Sequence, residues 1–269
     1  MLAALVVGCG SDGGAGSSPL TSERAVHGLD ARARLTAGGS ITLMLGNPLS
    51  TSGELTSHTS VAFWDPDASA GTCSDQRAAG CIVSRCTGLD PGTPAAMLSA
   101  GAVTLNDGTE ELVLLPAPDH RYPSTGAWES GESVAVSVEG AAVPGFESQT
   151  VIPERLRVLK PAFEQSFDFT VDRARPLDVS WTGGGDATVE VVILQAAVTG
   201  ISETVNVVCA FPAADAQGSV APAVLAELTD LATAQVTIAA VNGRVEQAGA
   251  FPVSVEAASY PFFGRATFR

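Results

Sequence analysis

Ser133-Val134-Ala135-Val136-Ser137-Val138 alternates small and β-branched apolar residues with a period of two. That period puts the three valines on one side of an extended chain and Ser133, Ala135 and Ser137 on the other, the pattern of a half-buried strand. Working outward, the same rhythm returns in Thr59-Ser60-Val61-Ala62-Phe63-Trp64 and in Thr188-Val189-Glu190-Val191-Val192-Ile193. Turn formers separate such stretches. Asn106-Asp107-Gly108 lies between Ala102–Leu105 and Glu111–Leu114, and Asn242-Gly243 lies between Val236–Val241 and Arg244–Glu246. Both are expected to be hairpin turns, because Asn and Gly accept the positive φ of tight primed turns. With 28 Gly and 16 Pro spread through the body, the chain reads as an all-β protein of many short strands.

One stretch departs from this rhythm. Between Gly218 and Leu231, Val224, Leu228 and Leu231 recur at helical spacing, with Ser219 as a cap and Pro222 at an early position where its missing N–H matters little. A short connecting helix is expected there, its apolar stripe closing one end of a core. A boundary near Val151-Ile152-Pro153 leaves about seven strand candidates on either side, the number an immunoglobulin-like sandwich uses. The expected organisation is a signal remnant and tether over residues 1–20, then sandwiches over 21–150 and 151–269, in tandem. One larger β-sandwich is the alternative. In the second half, Trp181 precedes a strand carrying Cys209, as in immunoglobulin domains, but no cysteine precedes Trp181 within that half.

Composition narrows the function classes. Fourteen Lys and Arg against 29 Asp and Glu give a formal charge of −15, and Lys160 is the single lysine. Binding a phosphate backbone takes clustered cations, so nucleic acid is excluded as a partner, and so is a basic helix lying on a membrane. Charged residues make up 16% of the chain against about 25% in average domains. At 45% hydrophobic, the bulk of the chain is expected to fold.

Leu2-Ala3-Ala4-Leu5-Val6-Val7-Gly8 is too short an apolar run to span a bilayer, which takes about twenty residues. It suits the apolar part of a signal peptide. Val6-Val7-Gly8-Cys9 resembles a bacterial lipobox, with Val6 where Leu is usual and no Lys or Arg before the apolar run. The resemblance implies cleavage before Cys9 and acylation of its thiol, and the missing charges imply a start upstream of Met1. The Gly/Ser-rich stretch Gly10–Ser18 is a flexible tether. By analogy with bacterial sorting rules, Gly10 rather than Asp after the cysteine to be modified points to the outer membrane of a cell that has one.

Removing Cys9 leaves Cys73, Cys81, Cys86 and Cys209. In an exported chain four cysteines read as two disulfides, with three possible connectivities. If all four pair, one of the clustered three must reach Cys209 and staple the two halves. A single local bridge with two buried thiols is the alternative. Zinc is the lesser rival, since seven residues separate Cys73 from Cys81, too many for a second tight knuckle beside the x4 spacing of Cys81 and Cys86, and no histidine lies nearby.

The chain resembles a group of uncharacterised predicted lipoproteins and secreted proteins of myxobacteria and related bacteria. The resemblance rests on the lipobox and the Cys73, Cys81 and Cys86 cluster, on Trp128-Glu129-Ser130-Gly131-Glu132 followed by Gly140–Phe146, and on Trp181 with Cys209. It implies an envelope location and brings no activity with it.

No stretch announces a reaction. Asp65, Asp67 and Ser69 alternate as in the start of a calcium loop, but Ala70 and Gln76 stand where Gly and Glu belong, so a polar loop is expected. His27, His58 and His120 fall in no G-x-S-x-G or H-E-x-x-H context, and Asp119-His120 is a neighbour pair rather than a triad. Trp64, Trp128 and Trp181 are expected inside the core rather than on a sugar-binding platform. Gly183-Gly184-Gly185-Asp186 reads as a turn, since no Lys or helix follows to make a phosphate loop. The expectation is a monomeric, non-enzymatic, lipid-anchored envelope protein without cofactor or metal, serving as a structural or binding module for a protein or glycan. An envelope hydrolase is the rival.

Overall fold

The computed structural model describes residues 38–46, 57–65, 72–87, 96–123, 126–161, 168–196, 203–229 and 233–269. The strands, in chain order, are β1 (Gly39–Leu45), β2 (His58–Phe63), β3 (Thr72–Ala78), β4 (Cys81–Thr87), β5 (Val103–Asn106), β6 (Glu111–Leu114), β7 (Ser133–Val138) and β8 (Phe146–Val151), followed by β9 (Arg157–Lys160), β10 (Asp168–Val171), β11 (Leu177–Thr182), β12 (Thr188–Gln195), β13 (Glu203–Pro212), β14 (Gln217–Val220), β15 (Thr233–Ala248) and β16 (Phe251–Phe268). A nine-stranded sheet runs β2-β1-β16-β15-β12-β13-β4-β3, with β10 also on β16. Two smaller sheets, β14-β11-β9 and β6-β5-β7-β8, complete the strands.

Alternation becomes burial as the period requires. In β7, Val134, Val136 and Val138 are buried while Ser133, Ala135 and Ser137 face solvent. Inside the large sheet, β12 is buried along most of its length and β13 buries Thr204, Val205 and Val207–Cys209. One core joins Val189, Val191 and Val207 of the large sheet to Val179, Trp181 and Val220 of the three-stranded sheet. The other joins Ile41, Leu43 and Val255 to Leu105, Val134 and Val136 of the four-stranded sheet. The protein is therefore an all-β sandwich.

The sheets do not part at residue 150. Strands β1 and β2 pair into the large sheet through β16, and β4 pairs with β13 across more than a hundred residues of chain. The expected division into 21–150 and 151–269 fails because alternation marks a strand without naming its partner. The two cores share the β15–β16 hairpin instead. Its distal part, with Ala248, Val253 and Val255, packs in the second core, and its proximal part, with Val236, Ala266 and Phe268, packs in the first.

A bulge lets one hairpin serve both. Ile238 faces Phe262 and Ala240 faces Ser259, so Ala239 on β15 stands against Tyr260 and Pro261 on β16. The extra residue switches the inward set of β16 from odd numbers (Val253, Val255, Ala257) to even ones (Ala266, Phe268), while β15 stays even throughout. Pro261, which has no N–H for the ladder, sits in that bulge.

Of the two expected hairpin turns, the first is present. β5 and β6 pair with Asn106 opposite Glu111, and the Asp107 carboxylate accepts hydrogen bonds from the Thr109 and Glu110 amides, 2.7 and 2.8 Å away. The second is a correction. Asn242 and Gly243 lie inside β15, opposite Ala257 and Glu256, and the chain reverses at Gly249-Ala250, where Gly249 has φ +64°. Asn242 instead ties β8 to β15: its Nδ2 donates to the Val151 carbonyl at 2.9 Å. A Cβ on Gly243 would stand 2.9 Å from that of Glu256.

The expected helix is shorter than its apolar spacing implied. Ser219 belongs to β14, paired with Asp178, and α1 spans only Pro222–Leu225, with Ala221 as the residue that caps it. Val224, Leu225 and Leu228 are fully buried in the first core, while Leu231 lies outside the described residues.

Candidate functional site

The chemistry-bearing residues that the fold brings together are the cysteines, and β4 organises them. Cys81 and Cys86 are five residues apart, an odd interval, so they project from opposite faces of the strand. Cys81 stands opposite Cys209 on β13, and Cys86 stands opposite Cys73 on β3. Directly opposed residues of antiparallel strands come close, and the Cα–Cα separations here are 4.2 and 4.1 Å. Both pairs are disulfide-bonded, leaving no free cysteine among the described residues. Sulfur bonded to sulfur removes the zinc rival and the alternative with two free thiols. Cys81–Cys209 is the staple that full pairing required, but it joins neighbours within one sheet rather than two sheets face to face.

The two bridges occupy different surroundings. Cys81 and Cys209 belong to the first core and are almost wholly buried. Cys86 is buried on the other face, whereas Cys73 is half-exposed on the last strand of the sheet, followed by four exposed residues, Ser74 to Arg77. Between the bridges, the Ser84 hydroxyl donates to Asp75 at 2.7 Å, a second tie from β4 to β3. The turn joining these strands is Ala79-Gly80, both at positive φ. Beside it is a cavity of about 280 Å³ lined by Arg77, Gly80, Cys81, Ile82 and Val208 among others. Arg77 is its one charged lining residue, so the cavity offers neither an acid–base pair nor a nucleophile.

At the far end of β4, Arg85 anchors the α1 region. Its guanidinium hydrogen-bonds the Glu227 carboxylate at 2.7 Å and the Glu227 carbonyl at 2.6 Å, and also pairs with Glu203. The Glu227 bond, with the Glu203 contact, raises the Arg85 pKa against the opposing effect of burial. Arg173 donates to the Leu228 carbonyl at 2.6 Å, and Gln195 accepts from the Thr229 amide at 2.8 Å. These side chains bond the backbone of residues 227–229, just beyond the short helix. They hold the plug of the first core in place.

The remaining candidates are not gathered into one place. Cys9 and His27 lie outside the described residues, as do Asp67 and Ser69, while Asp65 accompanies the end of β2. His58 is half-buried on β2, and that burial lowers its pKa. His120 is exposed at φ +63°, and its neighbour Asp119 pairs with Arg121. All three tryptophans are buried. The Trp128 indole donates to Thr59 at 3.1 Å and that of Trp181 to the Ala213 carbonyl at 2.9 Å, while Trp181 also lies 6.2 Å from the Phe211 ring. The polar edges of Trp128 and Trp181 serve the fold, and the burial of all three indoles removes the platform reading. Gly183, Gly184 and Gly185 all have positive φ, and a Cβ on Gly183 would meet the Arg155 carbonyl at 2.0 Å. The triplet is a close-packed turn. Among the described residues no group of three or more His, Cys, Asp or Glu side chains is placed to hold a metal. The signal that sequence reasoning missed is the Ala-Gly turn at 79–80, which brings Cys73 opposite Cys86. Compared with known protein families and with curated proteins, the chain matches none.

Proposed function

We propose that this protein is an exported, lipid-anchored component of the bacterial cell envelope, acting as a structural or binding module rather than an enzyme. The observation that supports this best is that all four body cysteines are bonded in pairs. Disulfides form and persist in oxidising compartments and are rare in a reducing cytosol. The lipobox-like Val6-Val7-Gly8-Cys9 and the Gly/Ser tether behind it supply the anchor and the reach. Two or three acyl chains on Cys9 hold a protein to a bilayer, each buried methylene contributing about 0.8 kcal/mol. Gly10 directs it to the outer membrane. A loop-presenting role suits the sandwich: loops at its ends are where recognition residues concentrate. Cells fed a clickable palmitate analogue are expected to label the wild type and not Cys9→Ala. Equal labelling of both would overturn the anchor.

A further inference from the structure

We propose that Cys73–Cys86 is a thiol–disulfide exchange site, open to a partner that carries a dithiol, while Cys81–Cys209 is a closed structural bridge. The inference rests on the bonded cysteines alone and stands whether or not Cys9 is acylated. β3 terminates the nine-stranded sheet, and its one strand partner among the described residues is β4. Ser74, Asp75, Gln76 and Arg77 are all exposed, so both faces of the strand lie open beside Cys73. Of the residues of β3, Ala78 packs against the first core. Little apolar burial therefore holds the strand in place if its bridge opens. Cys81 and Cys209 lack such exposure: both belong to the first core and are almost wholly buried, Cys81 at the wall of the cavity beside Gly80.

Exchange needs an approach to one sulfur along the bond axis, and Cys73 is the half-exposed partner of buried Cys86. A thiolate of the partner attacks Cys73 Sγ. A partner–Cys73 disulfide forms, the Cys73–Cys86 bond breaks, and Cys86 leaves with the electron pair and takes up a proton. The partner's second thiol, as its thiolate, then attacks the partner sulfur of the mixed disulfide and expels Cys73 as a thiolate, which is protonated in turn. The partner's dithiol ends as a disulfide, and Cys73 and Cys86 end as two thiols.

The test uses the full folded chain. It is exposed to increasing dithiothreitol without denaturant, then alkylated and mapped by mass spectrometry. Cys73 and Cys86 are expected to open at least ten times faster than Cys81 and Cys209, with hydrogen exchange accelerating over residues 72–78 while β12 and β15 stay protected. Equal rates for the two bridges, or first opening at Cys81–Cys209, would overturn the proposal. So would unchanged exchange in β3 after the bridge is open. With glutathione as a single-thiol probe, the trapped mixed disulfide is expected on Cys73, and capture on Cys86 would overturn the assigned point of attack.

Discussion

Removing each bridge separately is expected to destabilise the protein by different amounts, in an order set by the chain rather than by the bonds. Cys73 and Cys86 are separated by 13 positions in sequence, Cys81 and Cys209 by 128. In the chain-entropy account a cross-link contributes more the longer the loop it closes, which gives about 3 kcal/mol for the first and about 5 kcal/mol for the second. Burial widens the gap. Truncating Cys81 and Cys209 to alanine takes two sulfurs from a buried interior against one, that of Cys86, in the other pair, and each buried group lost adds about 1 kcal/mol. Cys81→Ala/Cys209→Ala is thus expected to be less stable than Cys73→Ala/Cys86→Ala by about 2–4 kcal/mol. Against a total of roughly 5–15 kcal/mol for native proteins, a difference of that size is readily measured. Denaturant titration followed by tryptophan fluorescence reports it, because Trp181 is buried in the same core as Cys209. Equal midpoints, or a larger loss from the short-loop pair, would refute the argument. So would a non-reducing peptide map that joins Cys81 to Cys73 or Cys86.

Three further outcomes follow from backbone and charge. Ala79 holds φ +47° in the β3–β4 turn, where an L side chain is disfavoured by roughly 1–2 kcal/mol, so Ala79→Gly is expected to raise the denaturation midpoint by the equivalent of about 0.5–1 kcal/mol; a lowered midpoint counts against the turn geometry. Gly183→Ala, which would set a Cβ 2.0 Å from the Arg155 carbonyl, is expected to be much more disruptive than Gly108→Ala, where nothing lies within 4 Å, although both glycines have positive φ; similar thermal midpoints would contradict this. The Glu110 and then the Thr109 amides, with the Thr109 hydroxyl, hold the Asp107 carboxyl below the usual carboxylate range. A depressed folded pKa contributes stability that is present above the unfolded pKa and is lost as pH falls through the folded one. Asp107→Asn is therefore expected to flatten the acid side of the stability profile and leave the neutral side's slope unchanged, and an unchanged acid limb would refute it.

How far the chain could be read depended on whether the deciding contact was local. The β5–β6 hairpin was legible because Asn106, Asp107 and Gly108 make the turn with their own side chains and backbone. Asn242-Gly243 has the same local chemistry, yet Ala257 and Glu256 across the ladder and Val151 on β8 carry the strand straight through it. Tertiary pairing overrode turn propensity there. The reversal at Gly249-Ala250 was missed although Gly in the first position suits a II′ turn. Similarly, the β16 bulge leaves a trace in the shift from Val253, Val255 and Ala257 to Ala266 and Phe268 around Pro261. Partner choice left no such trace: nothing in the alternation of Cys81–Thr87 points to β13. Among the cysteines, the need for one long-range bridge was legible, but the choice between Cys73, Cys81 and Cys86 was not, since it depends on the Ala79-Gly80 register.

The shared β15–β16 hairpin bears on how the polypeptide reaches its native state during synthesis. Residues 233–268 follow every other strand in translation order, yet both hydrophobic interiors need them. No segment that precedes them can finish either interior, so part of the apolar surface of the large sheet stays uncovered until they pair. A chaperone that holds apolar strands has most to protect in that interval.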